Sequence, residues 1–197
     1  MVVFLKAPRS GLVKTRLARD LGNAGAVAAY REIVGHLLVE IRDVQDLELR
    51  FTPDDAEPEI SHWLNMEWLA APQGDGDLGR RLERAIAQHC AAGARKVVII
   101  GADCPEITLT DIADAFDALE RADLVLGPAT DGGYWLIGLR NPQPDLFHGM
   151  PWSSEILLNR TREKARHLQL RVAELRTLTD IDTLEDWRSW KQTGSAS

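Results

Sequence analysis

The chain alternates short apolar runs with longer stretches whose apolar positions recur at helical spacing. Residues 2–5 form a continuous apolar run and predict a buried strand. Helical spacing then covers 15–21 and 24–42, with Gly22 and Asn23 breaking it into two pieces. Residues 47–52 alternate apolar and polar positions and predict a strand, 58–64 a short helix, 67–71 a weaker strand and 78–91 an amphipathic helix. The signal is strongest at 96–100, where Val97-Val98-Ile99-Ile100 runs into Gly101-Ala102-Asp103. A helix over 109–119 follows, with Thr108 or Thr110 as its cap. Residues 124–126 and 134–139 predict strands, and 154–167 a helix with Ser153 or Ser154 as its cap. The last elements are a strand over 172–175 and a helix over 183–190, capped by Asp182 with Glu185 at the third helical position.

This order predicts an α/β fold in which an open sheet lies between helices and ligands gather beyond the carboxyl ends of the strands. Three loops then carry the chemistry: the one after residues 2–5, the one after 97–100 and the one after 124–126. Composition adds bounds. With 197 residues, 45% hydrophobic and 27% charged, one core and one domain over 1–192 are expected, with 193–197 as a flexible tail. No apolar run reaches the ~18 residues of a spanning helix. The apolar start is too short for a signal peptide, so the expected location is cytoplasmic. Cys90 and Cys104 are too few for a disulfide framework, and no Cys/His spacing suits structural zinc.

The net charge of −7 argues against a broad nucleic-acid face. Residues 1–19 are the exception, holding Lys6, Arg9, Lys14, Arg16 and Arg19 and no acid. Such local charge suits a small polyanion, or else a solvated helix end. Within it, Lys6 to Ala18 reads KAPRSGLVKTRLA, which lacks the glycine spacing of the nucleotide-hydrolysing P-loop. Asp103, at the end of the strongest strand and before Cys104-Pro105, is the first candidate metal ligand, a turn cap being its alternative. Asp131 precedes Gly132 and Gly133, and the Asp-Gly pair is also an ordinary hairpin signal. Residues 74–79, GDGDLG, open a helix and offer backbone donors to a nucleotide or merely start the helix. Trp135 and Trp152 read as core side chains by default.

Taken in order, KAPRSGLVKTRLA, GDGDLGRRL, GADCPEI, GPATDGGYWLIGL, MPWSSEIL and LTDIDTLEDW make the chain resemble the bacterial glycosyltransferase-A-like family. That family is also called radical-SAM/selenodomain-associated transferases, some linked to arsenosugar biosynthesis. The resemblance implies a single-domain nucleotide-diphospho-sugar transferase fold with a mixed, mainly parallel sheet, shared with nucleotidyltransferases such as phospholactate guanylyltransferases. It implies that Lys6, Gly11, Lys14 and Arg16 embrace donor phosphates and that Asp77 and Gly79 lie near the nucleoside. Asp103 would hold Mg²⁺ or Mn²⁺. Asp131 would act as base or acceptor-orienting group, with Gly132 and Gly133 shaping the transfer site. Asp182 is a further candidate metal ligand, with helix capping as its other reading. Thr130 stands where relatives often carry an acid. The expected partners are a nucleotide-sugar donor or a nucleoside triphosphate and a small-molecule acceptor. Glycosyl transfer is the first expectation, nucleotidyl transfer with pyrophosphate release the second, and a non-catalytic nucleotide-binding module the third.

Overall fold

The computed structural model describes residues 1–194, so the tail expected at 193–197 lies outside the described residues from 195 onward. The described elements are β1 (Val2–Lys6), α1 (Ala18–Glu40), β2 (Glu48–Thr52), α2 (Glu57–Ile60), β3 (Leu69–Pro72), α3 (Leu78–Ala91), β4 (Val97–Gly101), α4 (Leu109–Ala118), β5 (Leu124–Pro128), β6 (Tyr134–Leu139), α5 (Pro144–Phe147), α6 (Leu157–His167), β7 (Val172–Glu174) and α7 (Leu184–Gly194). A 3₁₀ turn, Ser61–Trp63, extends α2.

The strands form one mixed sheet in the order β3-β2-β1-β4-β6-β5-β7. Every pairing is parallel except those of β6, which runs against β4 and β5. The carboxyl ends of the other six strands therefore meet along one rim, and the turn from β5 into β6 lies on that rim too.

Alternation along the strands divides the core between the two faces of the sheet. Val3 and Leu5 of β1, with Val98 and Ile100 of β4, pack with Tyr30, Val34 and Leu37 of α1 and Ile112 and Ala115 of α4. Val2, Phe4 and Ile99 point the other way, toward Leu82 and Ile86 of α3 and Leu158 and Ala165 of α6. Each such Val, Leu or Ile contributes about 1.5–3 kcal/mol when fully buried. That double burial explains why the runs at 2–5 and 97–100 are unbroken by polar residues.

Three local expectations are corrected, and the break expected at Gly22 is present. Residues 15–17 are a turn and α1 starts at Ala18; Lys14, just before the turn, sits in the left-handed region with φ +46°. Helix α1 spans both predicted pieces, with Gly22 as the non-helical break (φ 70°, ψ 166°). No serine caps α6: it begins at Leu157, Ser153 has φ +60°, and Ser154 Oγ donates to the Pro151 carbonyl at 2.7 Å. Helix α7 is capped one residue later than expected. Thr183 Oγ1 accepts from Asp186 N–H at 3.2 Å, and the Asp186 carboxylate accepts from Thr183 N–H at 2.7 Å. Asp182 is thereby left to bond elsewhere. Thr108 does cap α4, in a reciprocal box with Asp111.

Candidate active site

The β1–α1 loop begins with Ala7 and ends at the buried Leu17, with Val13 as a second apolar anchor. Between these anchors its cations go to different partners. Arg9 is drawn away from the rim's centre by Glu59 at 2.6 Å and Asp55 at 3.0 Å. Gly11 adopts φ +78°. Lys14 turns inward until its side chain is 3% exposed, and its ammonium lies 2.7 Å from Asp103 Oδ1 and 3.3 Å from Asp182 Oδ1. Arg16, mostly exposed, reaches the other Asp182 oxygen at 3.2 Å. The Lys6 side chain is exposed, and its backbone N–H donates to the buried Tyr30 hydroxyl at 2.8 Å. The acid-free opening segment is thus neither a solvated helix end nor an open cationic patch, because three of its cations are met by acids from distant segments.

Asp55 and Glu59 follow β2, whereas the acids that meet Lys14 and Arg16 follow β4 and β7. Asp103 follows β4, and its carbonyl accepts from Ile181 N–H at 3.0 Å, tying the β4 loop to the segment before α7. That segment carries Asp180 and Asp182, whose i, i+2 spacing on an extended chain puts both on one side. Burial, then the carboxylates of Asp103 and Asp131, push the Asp180 carboxyl up to about 7, with Lys14 opposing them. Burial alone would lower Lys14, but Asp103 and Asp182 outweigh it and hold the ammonium above its ordinary value.

Asp131 occupies the hairpin turn between β5 and β6, and its Oδ1 accepts from Gly133 N–H at 2.8 Å. Gly132 is needed there, since a Cβ at φ +86° would collide with the Glu155 backbone. The α6 approach therefore closes directly over this turn, and Leu158 N–H donates to the Gly132 carbonyl at 2.9 Å. On the far side of β1, Asp77 caps α3 by accepting from Arg80 N–H at 2.9 Å. Gly79 is buried beneath Trp152, where any Cβ would meet the indole ring. The Trp152 ring stacks with Phe147. Trp135 is core, its indole N–H donating to the Arg176 carbonyl at 3.2 Å.

The structure thus brings Lys14, Arg16, Asp103 and Asp182 into one bonded cluster with Asp131 nearby, and leaves Asp77 and Gly79 on a separate shoulder. Sequence reasoning missed Asp180, for which the Asp-x-Asp spacing was the available signal. Among the described residues, no group of three or more His, Cys, Asp or Glu side chains is arranged to hold a metal ion. Magnesium carried with a nucleotide takes only one or two protein carboxylates beside phosphate oxygens and water. The hard oxygens of Asp103 and Asp182, which already share one cation, fit that smaller demand.

Residues 37–154 match the family described as "Uncharacterized protein conserved in bacteria (DUF2064)". The chain belongs to this family. It is 30% identical over 199 residues to phosphoenolpyruvate guanylyltransferase of Chloroflexus aggregans, covering 95% of each chain. It is 28% identical over 136 residues to 2-phospho-L-lactate guanylyltransferase of Methanothermobacter thermautotrophicus, covering 69% of this chain and 60% of that one. A crystal structure from Desulfovibrio desulfuricans G20, provisionally named a nucleotide-diphospho-sugar transferase, superposes with a TM-score of 0.92 at 34% identity, over 100% of this chain and 87% of that one. The nucleotide-diphospho-sugar transferase fold expected from the motifs is therefore the fold of this family member. No helix among the described residues is long and apolar enough to cross a membrane.

Proposed function

We propose that the protein is a nucleotidyltransferase, transferring a nucleoside monophosphate group, most simply guanylyl, from a nucleoside triphosphate to the phosphate of a small acceptor. The observation that carries this is the likeness to the Chloroflexus guanylyltransferase along 95% of both chains. It reverses the order of the first two expectations, because glycosyl transfer had been placed ahead of nucleotidyl transfer. The site chemistry supports the same order. A phosphate acceptor is already ionised near neutral pH, its second pKa being about 6, so attack on the α-phosphorus requires no general base. Asp131, with one oxygen engaged by Gly133 N–H, is then an acceptor-orienting group.

In this mechanism the donor phosphates take up Lys14 and Arg16, which exchange bonds to Asp182 and Asp103 for bonds to phosphate oxygens. An acceptor phosphate oxygen forms the new P–O bond as the bond to the β-phosphate breaks and pyrophosphate leaves with its electron pair. Asp103 and Asp182, freed from Lys14, would hold Mg²⁺ or Mn²⁺, which supplies charge neutralisation at the reacting phosphates. Gly132 and Gly133 keep the acceptor side low enough for close approach. Lys6 and Gly11 line the entry to the phosphate loop, and Asp77 and Gly79 set the shoulder toward the nucleoside.

Glycosyl transfer from a nucleotide-diphospho-sugar is the second reading, favoured by the 34% identical structure of that provisional name. The two separate in one assay. GTP with phosphoenolpyruvate or 2-phospho-L-lactate and Mg²⁺ is expected to release pyrophosphate only when acceptor is present, with the product's new diphosphate diester (P–O–P) linkage visible by ³¹P NMR. Release of nucleoside diphosphate from GDP- or UDP-sugars, with no pyrophosphate from any triphosphate, would establish the glycosyl reading instead. Binding without either product would leave the third expectation, a nucleotide-binding module.

A further inference from the structure

The loops after β2 and β3 form the part of the carboxyl rim that the carboxylate cluster does not reach. Gln73, immediately after β3, is 4% exposed, and its side-chain amide donates to the carbonyls of Leu5 in β1 and Arg50 in β2, both at 3.0 Å. Its own side-chain oxygen accepts from Arg81 Nη1 at 3.2 Å. Arg81, in the first turn of α3, also donates from Nε to the Gly76 carbonyl at 2.9 Å and from Nη1 to the Thr52 hydroxyl at 3.4 Å. Arg84 donates to the carbonyls of Gln73 at 2.6 Å and Asp75 at 2.8 Å. Gly74 N–H is held by the Asp54 carboxylate at 3.1 Å.

Two guanidiniums thus draw the carbonyls of residues 73, 75 and 76 onto α3, while residues 75–77 stay exposed at the rim. Among the described residues neither Arg81 nor Arg84 is in an ion pair with a carboxylate, so both forks are committed to the shape of one loop. A planar fork suits this task better than an ammonium, since it meets several acceptors in fixed directions. Arg81 joins the end of β2, the residue after β3 and the loop.

The position of that loop gives it a use. In the sheet order the loop after β3 lies on the β2 side of β1, opposite to Asp103 after β4, so it is within the side of the rim open to the base of a nucleoside triphosphate whose phosphates lie at Lys14. We propose that Arg81 is the positioning residue of the donor-base subsite, holding the 74–77 loop so that it sets donor affinity and base discrimination without touching the reacting phosphorus. The proposal rests on the nucleotide-donor reading above.

Calorimetry with Mg²⁺ tests it, using GTP, ATP, CTP, UTP and inorganic tripolyphosphate as probes. Arg81→Met is expected to weaken the triphosphate that the wild-type protein prefers by about tenfold or more, equivalent to ~1.4 kcal/mol. It should also flatten the preference among the four bases while leaving tripolyphosphate within about twofold of wild type. Arg81→Lys keeps the charge without the fork, and the same loss of base preference is expected from it; it carries the readout if the Met variant does not fold. Equal weakening of tripolyphosphate and all four nucleotides, or unchanged base preference in a folded variant, overturns the subsite alone. A wild-type protein that binds none of the four nucleoside triphosphates overturns the donor reading, and the subsite with it.

Discussion

Asp111 and Asp180 belong to two acidic regions built in opposite ways. Asp111, 5% exposed, is gripped by the Arg176 fork at 2.6 and 2.7 Å and accepts from both the backbone and hydroxyl of Thr108 at 2.8 Å. Burial pushes its carboxyl up, but these bonds outweigh burial and hold it below the usual carboxylate range. Asp180 makes no side-chain hydrogen bond among the described residues, and its strongest charged neighbours are other carboxylates. The first region is satisfied within the chain, and its work is to hold α4 to the segment after β7. The second concentrates like charge around one lysine, an arrangement that a bound cation or phosphate would relieve, and such frustration gathers where ligands are handled.

The largest test of this contrast is Asp103→Asn. If the unmatched region carries the proposed transfer, turnover should fall roughly 10²- to 10³-fold, about 3–4 kcal/mol, with little change in melting temperature. Steady-state pyrophosphate release beside a melting curve reads both. Normal turnover in a folded variant would make the cluster structural.

Lys14→Ala comes next. Loss of a charged hydrogen-bonding partner predicts donor binding weaker by about 1.5–3 kcal/mol. Because Lys14 is also the cation between Asp103 and Asp182, the variant should respond more strongly to divalent ions in thermal shift than the wild type does. Unchanged donor affinity in calorimetry would sever Lys14 from the phosphates.

The two aspartates should also differ in the sign of their pH dependence. A carboxyl raised to about 7 when folded binds more protons in the native state than in the unfolded one. Its contribution is therefore fully present below the unfolded value near 3.9 and is lost as pH rises through 7. Asp180→Asn, in metal-free buffer, should accordingly match wild type near pH 4 and become the more stable protein by roughly 1–3 kcal/mol by pH 7.5. Asp111, held low, contributes above its unfolded value and loses that contribution as pH falls through its folded value. Parallel stability curves for wild type and Asp180→Asn between pH 4 and 8 would contradict the contrast.

The smallest effect belongs to the satisfied region. Arg176→Met should destabilise by about 1–2 kcal/mol, the scale of charge-assisted bonds whose arginine is partly solvated, while donor turnover stays near wild type. Chemical denaturation measures the first and the transfer assay the second. A large loss of turnover without loss of stability would give Arg176 a place in the chemistry.

Much of the fold was legible because its cause is local. The run Val97-Val98-Ile99-Ile100 predicts a strand buried on both faces, and it is one. Helix α3 falls at 78–91 as its periodicity predicts, and Gly22 breaks α1 where expected because only a residue without Cβ takes its φ of 70° cheaply. The failures lie at helix starts. Asp182 and Thr183 are both competent caps, and Asp186 selects between them by bonding Thr183. The serines before α6 were similarly diverted, Ser154 to the Pro151 carbonyl.

For the candidate site, the motifs of the family resemblance named Lys14, Arg16, Asp103, Asp131 and Asp182, and folding gathers them because strand-end loops in an open α/β sheet share one rim. What each does there was decided by partners far away in sequence. Lys14 meets Asp182 across 168 positions, and Arg9, in the same loop, is taken by Glu59 and Asp55 instead. Arg81 reads on paper as one more helical surface charge, yet folding turns it into the clamp between Thr52, Gln73 and Gly76. Apolar periodicity is written locally and survives without context, whereas the environment of a charge is a sum over neighbours that only the folded chain assembles.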